Sequence, residues 1–172
     1  MLLKIIGALL VIFVCVSAGR MMAARLEKRS KILHDLQQGL LALGREIDYA
    51  AMPLPPALLQ ASSAAASAAE LFEKSGNNLR RQSGISAEQA WQQSLQQLAA
   101  DWPLTDEDMS VLSAFGCGLG LSSVEDQLRR LELIRQRLLV QEEEAQAQAR
   151  QLGKVWKNLG WAAGIAIAII AF

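Results

Sequence analysis

The side chains able to do chemistry are few and poorly spaced for it. His34 is the single histidine of the chain, so a multi-histidine metal site is impossible. Helical spacing puts it on the outer face of the first helix. Cys117 has no histidine partner near it in sequence and reads as a small buried residue. Gly116-Cys117-Gly118-Leu119-Gly120 invites a nucleotide-loop reading, but it follows a helix and not a strand. No lysine-serine/threonine pair completes a phosphate loop, and the glycines read as a helix end and a tight turn. Asp106, Glu107 and Asp108 can be imagined as metal ligands. Beside Thr105 they are better explained as a helix start, with acids against the positive end of the dipole. Glu46 and Asp48, two apart, point in different directions on a helix. Glu142, Glu143 and Glu144 read as a solvated face, and Trp91 and Trp102 as core or domain-edge packing. Nothing in this pattern supports an enzyme, a cofactor or a small-molecule substrate.

The elements that hold these residues are helical. Residues 5–19 are apolar and uncharged, and they continue without a proline or turn cluster into residues 20–47. There Ile32, Leu36, Leu40, Leu43 and Ile47 recur at helical spacing. The reading is one long helix that leaves a membrane and becomes the first wall of a bundle. It ends near residues 49–52, because Pro53, Pro55 and Pro56 cannot continue it. The carboxy end mirrors this: an amphipathic helix over 123–157 runs into an apolar run over 159–172. A hydrocarbon core about 30 Å thick needs roughly 20 helical residues. Residues 2–24 suffice if Lys4 and Arg20 snorkel. The final run makes only about 21 Å of helix. Lys154 and Lys157 precede it, and Trp156 and Trp161 sit where an aromatic belt belongs.

Bases thus flank both runs on the domain side, which favours a cytoplasmic domain. The expected layout is an anchor over 1–25, a cytoplasmic helical bundle over 26–157 and a membrane segment over 158–172. Two alternatives stay open. The final run can be a helix packed against protein. The first run can be a cleaved signal peptide, with Val16-Ser17-Ala18 as the cleavage site, which would leave an extracytoplasmic binding or sensor module. Against that stand Arg20, Arg25, Lys28, Arg29 and Lys31, which follow at once and resist translocation.

Between the long helices the signals are short-range. Leu54-Pro55-Pro56 starts a short helix with proline in its first turn. Residues 57–69 are rich in alanine, which lets helices approach closely. Gly76-Asn77-Asn78 reads as a break or kink. Ser86 with Gln89 is a capping box that opens a helix through Trp91, Leu95 and Leu98, stopping at Trp102-Pro103. Thr105 starts the next, with Met109, Leu112 and Phe115 on one face. Ser122 with Glu125 caps the last helix, whose stripe is Val124, Leu128, Leu131, Ile134 and Leu138. No stretch alternates with period two, so no sheet is predicted. The fold class is all-α: an antiparallel bundle of about six helices with short membrane-embedded helices at both termini.

Composition narrows the partners. Of 172 residues, 52% are hydrophobic and the mean hydropathy is +0.20, high for a purely soluble chain. Residues 26–157 carry 14 bases against 17 acids. A mildly acidic domain is not a polybasic nucleic-acid or lipid-binding domain. Two cysteines, Cys15 in the apolar run and Cys117 in the domain, predict no disulfide and a reducing side.

Several segments together resemble the stage III sporulation protein AB family over nearly the whole chain. They are Glu46-Ile47-Asp48-Tyr49 with Pro53-Leu54-Pro55-Pro56-Ala57-Leu58, then Ser86-Ala87-Glu88-Gln89-Ala90-Trp91, then Leu104-Thr105-Asp106-Glu107-Asp108. Phe115-Gly116-Cys117-Gly118-Leu119-Gly120, Asp126-Gln127-Leu128 and Lys157-Asn158-Leu159-Gly160 follow in order. Residues 61–83 match least. The resemblance implies a non-enzymatic scaffold of the channel between mother cell and forespore in endospore formation. It would lie in the mother-cell membrane surrounding the forespore, bundle facing the cytoplasm. The family is similar to the inner-membrane platform protein of type II secretion, the F-domain family. By that likeness its partners would be the lipid bilayer, a secretion-type ATPase (stage III sporulation protein AA), other channel subunits and a second copy of itself. No catalytic residues are carried over. Candidate partner-contact or corner residues are Tyr49, Pro53 and Leu54 at one turn, and Trp102, Thr105, Asp106, Glu107 and Asp108 at a rim.

Overall fold

The computed structural model describes residues 2–48, 52–81, 84–120 and 123–170. Within its helices the side chains of 2–6, 8, 9, 11, 157, 164, 165 and 168–170 are outside the description. Six α-helices stand among the described residues: α1 (Leu2–Asp48), α2 (Leu54–Ser62), α3 (Ala69–Arg81), α4 (Ala87–Leu98), α5 (Asp106–Gly116) and α6 (Val124–Ile170). A 3-10 turn, Ala66–Ala68, joins α2 to α3, and no strand occurs among the described residues. The chain divides into two compact units, Met1–Ser30 with Glu144–Phe172, and Lys31–Glu143.

The larger unit is built on the stripe legible in α1. Ile32, Leu33, Leu36, Leu40, Leu43 and Ile47 are all buried. Gly39, on the same face, lets α1 approach closely: a Cβ there would stand 2.6 Å from the Phe72 ring of α3 and 2.8 Å from Ala65 Cβ. Buried Asp35 reaches off α1 to accept from the Ser67 amide at 3.0 Å and from the Ser67 hydroxyl, which ties the 3-10 turn to the first helix. Four alanines of this region are core: Ala57, Ala61, Ala65 and Ala68 are fully shielded, while Ala64 and Ala66 are exposed.

Trp91 of α4 is the hub of the small helices. Its ring meets Phe72 (centroids 5.6 Å apart) and Phe115 (4.9 Å) edge to face, and its Nε1–H donates to the Leu112 carbonyl at 2.8 Å. The buried indole therefore keeps no unpaired donor. The expected capping box of Ser86 with Gln89 forms, and the helix start expected at Thr105 proves to be a second box, closed by Asp108. Leu131, Ile134 and Leu138 of α6 are buried as the stripe predicts, while Val124 is exposed.

Several expectations need correcting. Gly76-Asn77-Asn78 does not break the chain into two helices, since α3 runs through it to Arg81. Gly76 is there for proximity: a Cβ would lie 3.0 Å from the Pro55 carbonyl and from Leu59 of α2. Ser122 lies outside the described residues. The cap that is described comes one residue later, with Ser123 Oγ accepting from the Asp126 amide and donating to its carboxylate. Among the described residues no helix is long and apolar enough to cross a membrane. Parts of both apolar runs, at 1–6, 8, 9 and 11 and at 164, 165 and 168–172, lie outside the described side chains.

Candidate functional site

The proposed contact residues fall into different environments. Tyr49 lies outside the described residues. Pro53 is exposed and sits at the N-cap of α2, with Leu54 half-buried as the first helical residue. Leu54 Cδ2 lies near Gly120, whose backbone has φ +78, so the glycine turn after α5 closes beside this corner. Trp102 is core and not rim, with 8% of its surface exposed. Asp108 is fully buried: its carboxylate accepts from the Thr105 amide at 2.9 Å and its own amide donates to Thr105 Oγ1. It is a structural cap. Thr105, Asp106 and Glu107 are exposed, so the available rim shrinks to these three side chains.

Two groups read as inert from sequence have partners. Of the solvated face expected for 142–144, Glu143 and Glu144 are exposed and Glu142 is buried. Its carboxylate accepts from Gln37 Nε2 at 2.7 Å and lies 3.2 Å from His34 Nδ1. It thus fastens α6 to α1, with Gln37 also donating to the Leu33 carbonyl. Cys117 is exposed, contrary to the buried position expected. A hydrogen bond to the Glu88 carboxylate raises its thiol pKa above the ordinary value, burial adds a little, and Arg130 pulls the other way. A thiol held protonated is a poor nucleophile. The Arg130 guanidinium lies over Gly118, where a Cβ would come within 2.5 Å of Nε.

Arg130 also borders a surface on the charged face of α6, outside the contact residues expected at 49–54 and 102–108. A shallow groove of about 430 Å³ is lined by Ala114, Asp126, Arg129, Arg130, Leu133, Ile134 and Arg137. Helical spacing along α6 was the available signal, since Arg130, Leu133 and Arg137 fall three and four apart.

The smaller unit has its own packing. Gly19 of α1 meets α6 backbone to backbone: a Cβ there would stand 2.5 Å from the Trp156 carbonyl and 3.4 Å from Gly160 Cα. A Cβ at Gly160 would stand 2.8 Å from the Cys15 carbonyl. Ala23, fully buried, faces Gly153. Large apolar side chains turn the other way. Leu10, Phe13, Val14, Met21, Leu152, Val155, Leu159, Trp161 and Ile167 are all exposed.

Among the described residues the fold is an all-α helical bundle. Comparison with known proteins gives the particular family. The family model described as stage III sporulation protein AB matches residues 4–172. A relative from Bacillus subtilis (strain 168), named stage III sporulation protein AB, is 31% identical over 171 residues, covering 98% of this chain and 99% of the relative. A solved structure titled stage III sporulation protein AB (SpoIIIAB) is 30% identical, with a TM-score of 0.65. It covers 72% of this chain and 98% of that one. The chain belongs to the stage III sporulation protein AB family.

Proposed function

We propose that the chain serves spore formation as a non-enzymatic membrane scaffold. Its paired ends sit in a bilayer while the helical bundle, on the cytoplasmic side, docks a secretion-type ATPase to the other parts of the mother cell–forespore channel. The observation that carries the membrane part is the sorting of side chains in the smaller unit. Small residues (Gly19, Ala23, Gly153, Gly160) face inward and bulky apolar ones face outward. In water that sorting is unfavourable, because exposed Phe13 and Trp161 gain nothing from it. In lipid it is the ordinary solution: glycine and alanine let backbones touch, and the large side chains meet acyl tails. Cys15 and Val16 are part of this contact, so the reading takes the chain uncut.

The docking part rests on family membership and on two exposed surfaces of opposite sign. One is the acidic rim of Asp106 and Glu107; the other is the groove of Arg129, Arg130 and Arg137. Neither surface contains groups arranged for reaction. They suit contact by charge.

The test has two arms. Cysteine-accessibility labelling in sporulating cells should find the bundle on the cytoplasmic side, and labelling from the opposite side would end the proposal. Asp106→Asn with Glu107→Gln should lower co-purification with the stage III sporulation protein AA ATPase. Stability should change by only about 0.3–1 kcal/mol per lost helix-start charge. Undiminished co-purification removes the rim as the docking surface.

A further inference from the structure

We propose that the paired ends carry a girdle of bases that selects anionic phospholipid headgroups. The inference rests on the membrane reading above and specifies the lipid. The pairing fixes the level of each side chain. Gly19 lies against Trp156 and Gly160, and Ala23 against Gly153. Arg29 Nη1 donates to Gln148 Oε1 at 3.2 Å. On this antiparallel register, residues 20–29 of α1 lie beside residues 148–157 of α6. Seven bases fall in those two stretches, at 20, 25, 28, 29, 150, 154 and 157, against one acid, Glu27. Ten helical residues rise about 15 Å, so the described bases at 20, 25, 28, 29, 150 and 154 form one band. Arg20, Arg25, Arg150 and Lys154 are exposed within it.

Within the band Met21, Met22, Leu152 and Val155 are exposed beside the bases. Beyond it the charges stop: Phe13 and Val14 on α1 and Leu159 and Trp161 on α6 are large, apolar and exposed, and residues 7–19 and 158–170 hold no charged side chain. The charge of the chain is sorted in the same sense. The smaller unit holds eight bases and two acids, net +6, and Lys31–Glu143 holds nine bases and fifteen acids, net −6. A zwitterionic bilayer satisfies the apolar side chains and offers no net negative charge to the exposed Arg20, Arg25, Arg150 and Lys154. An acidic protein satisfies the bases and leaves the apolar side chains in water. A bilayer containing anionic phospholipid meets both, with acyl chains at Phe13 and Trp161 and phosphate-bearing headgroups at the girdle.

The full chain, diluted from detergent, is floated with vesicles of phosphatidylcholine alone or with about 30% phosphatidylglycerol added, the composition that supplies a negative surface potential. At low salt the anionic vesicles should take up at least about tenfold more chain, and roughly 0.5 M salt should abolish that advantage by screening. A variant with Arg20→Gln, Arg25→Gln, Arg150→Gln and Lys154→Gln should still float with both vesicles but lose the preference. Equal uptake by the two vesicles, or a preference that survives salt, overturns the girdle and leaves the membrane reading standing. A preference kept by the folded variant overturns its assignment to these four bases. Failure to float with either vesicle overturns the membrane reading itself. Salt dependence of the unaltered chain decides the question even if the variant does not fold.

Discussion

Cys117 stands in solvent after α5, yet Glu88 holds its thiol in the protonated form. The folded state therefore binds this proton more tightly than the unfolded chain does. Its contribution to stability is intact below the ordinary thiol range and is lost as pH rises through the raised folded value. Removing the carboxylate charge leaves Arg130 to favour the thiolate. In a Cys15→Ala background, Glu88→Gln should make Cys117 react faster with iodoacetamide at mildly alkaline pH, read by intact mass against time. An unchanged rate would show that Glu88 does not hold the thiol. Neither this exposure nor the burial of Glu142 was legible in the sequence. A glycine-flanked cysteine and a run of three glutamates carry no local sign of the residues that meet them from α4 and α1.

At the scale of elements, local chemistry was legible and long-range proximity was not. The box at Ser86 depends on side chains three residues apart, so the sequence shows it directly, and Thr105 with its acids likewise marks a helix start. The stripe of α1 depends only on period, and its members are buried. Gly76 misleads because glycine disfavours helix locally, while the reason for it lies on α2. Gly39 is the sharper case. Alanine there gains about 1 kcal/mol of helix propensity over glycine. Overpacking against Phe72 and Ala65 costs about 1–3 kcal/mol, so the clash should win. Gly39→Ala should lower the urea midpoint, and a raised midpoint would mean that α1 and α3 can part without loss. The neighbouring turn predicts the opposite sign. Ala66 holds φ +38, a region where a Cβ is penalised by about 1–2 kcal/mol. Ala66→Gly should be neutral to stabilising despite glycine's greater freedom in the unfolded chain.

For the molecule as a whole, the two units should answer to different mutations. Leucine at position 160 cannot fit against the Cys15 carbonyl and must push the paired ends apart. Effects at well-separated sites add independently. Gly160→Leu should therefore speed amide exchange around residues 12–25 and 150–163 in detergent or lipid, leaving Trp91 and its neighbours protected as before. Loss of protection around Trp91 would show that the ends and the bundle unfold as one. The units part at Ser30 and Lys31 on α1 and at Glu143 and Glu144 on α6. Apolar runs mark the ends, but the place where a continuous helix passes from one set of partners to another leaves no mark in composition.

The bond from Gln37 to Glu142 closes a separation of 105 residues, whereas Asp35 and Ser67 are only 32 apart. A ribosome adding about 5–20 residues per second needs roughly 5–20 s to produce the later partner. In that interval a growing chain has one wall of its first helix sheltered by the alanine-rich segment and the other open. Half a shell forms early and waits for the final helix to shut it, so a truncated or stalled product presents an oily flank to chaperones, proteases and other nascent chains.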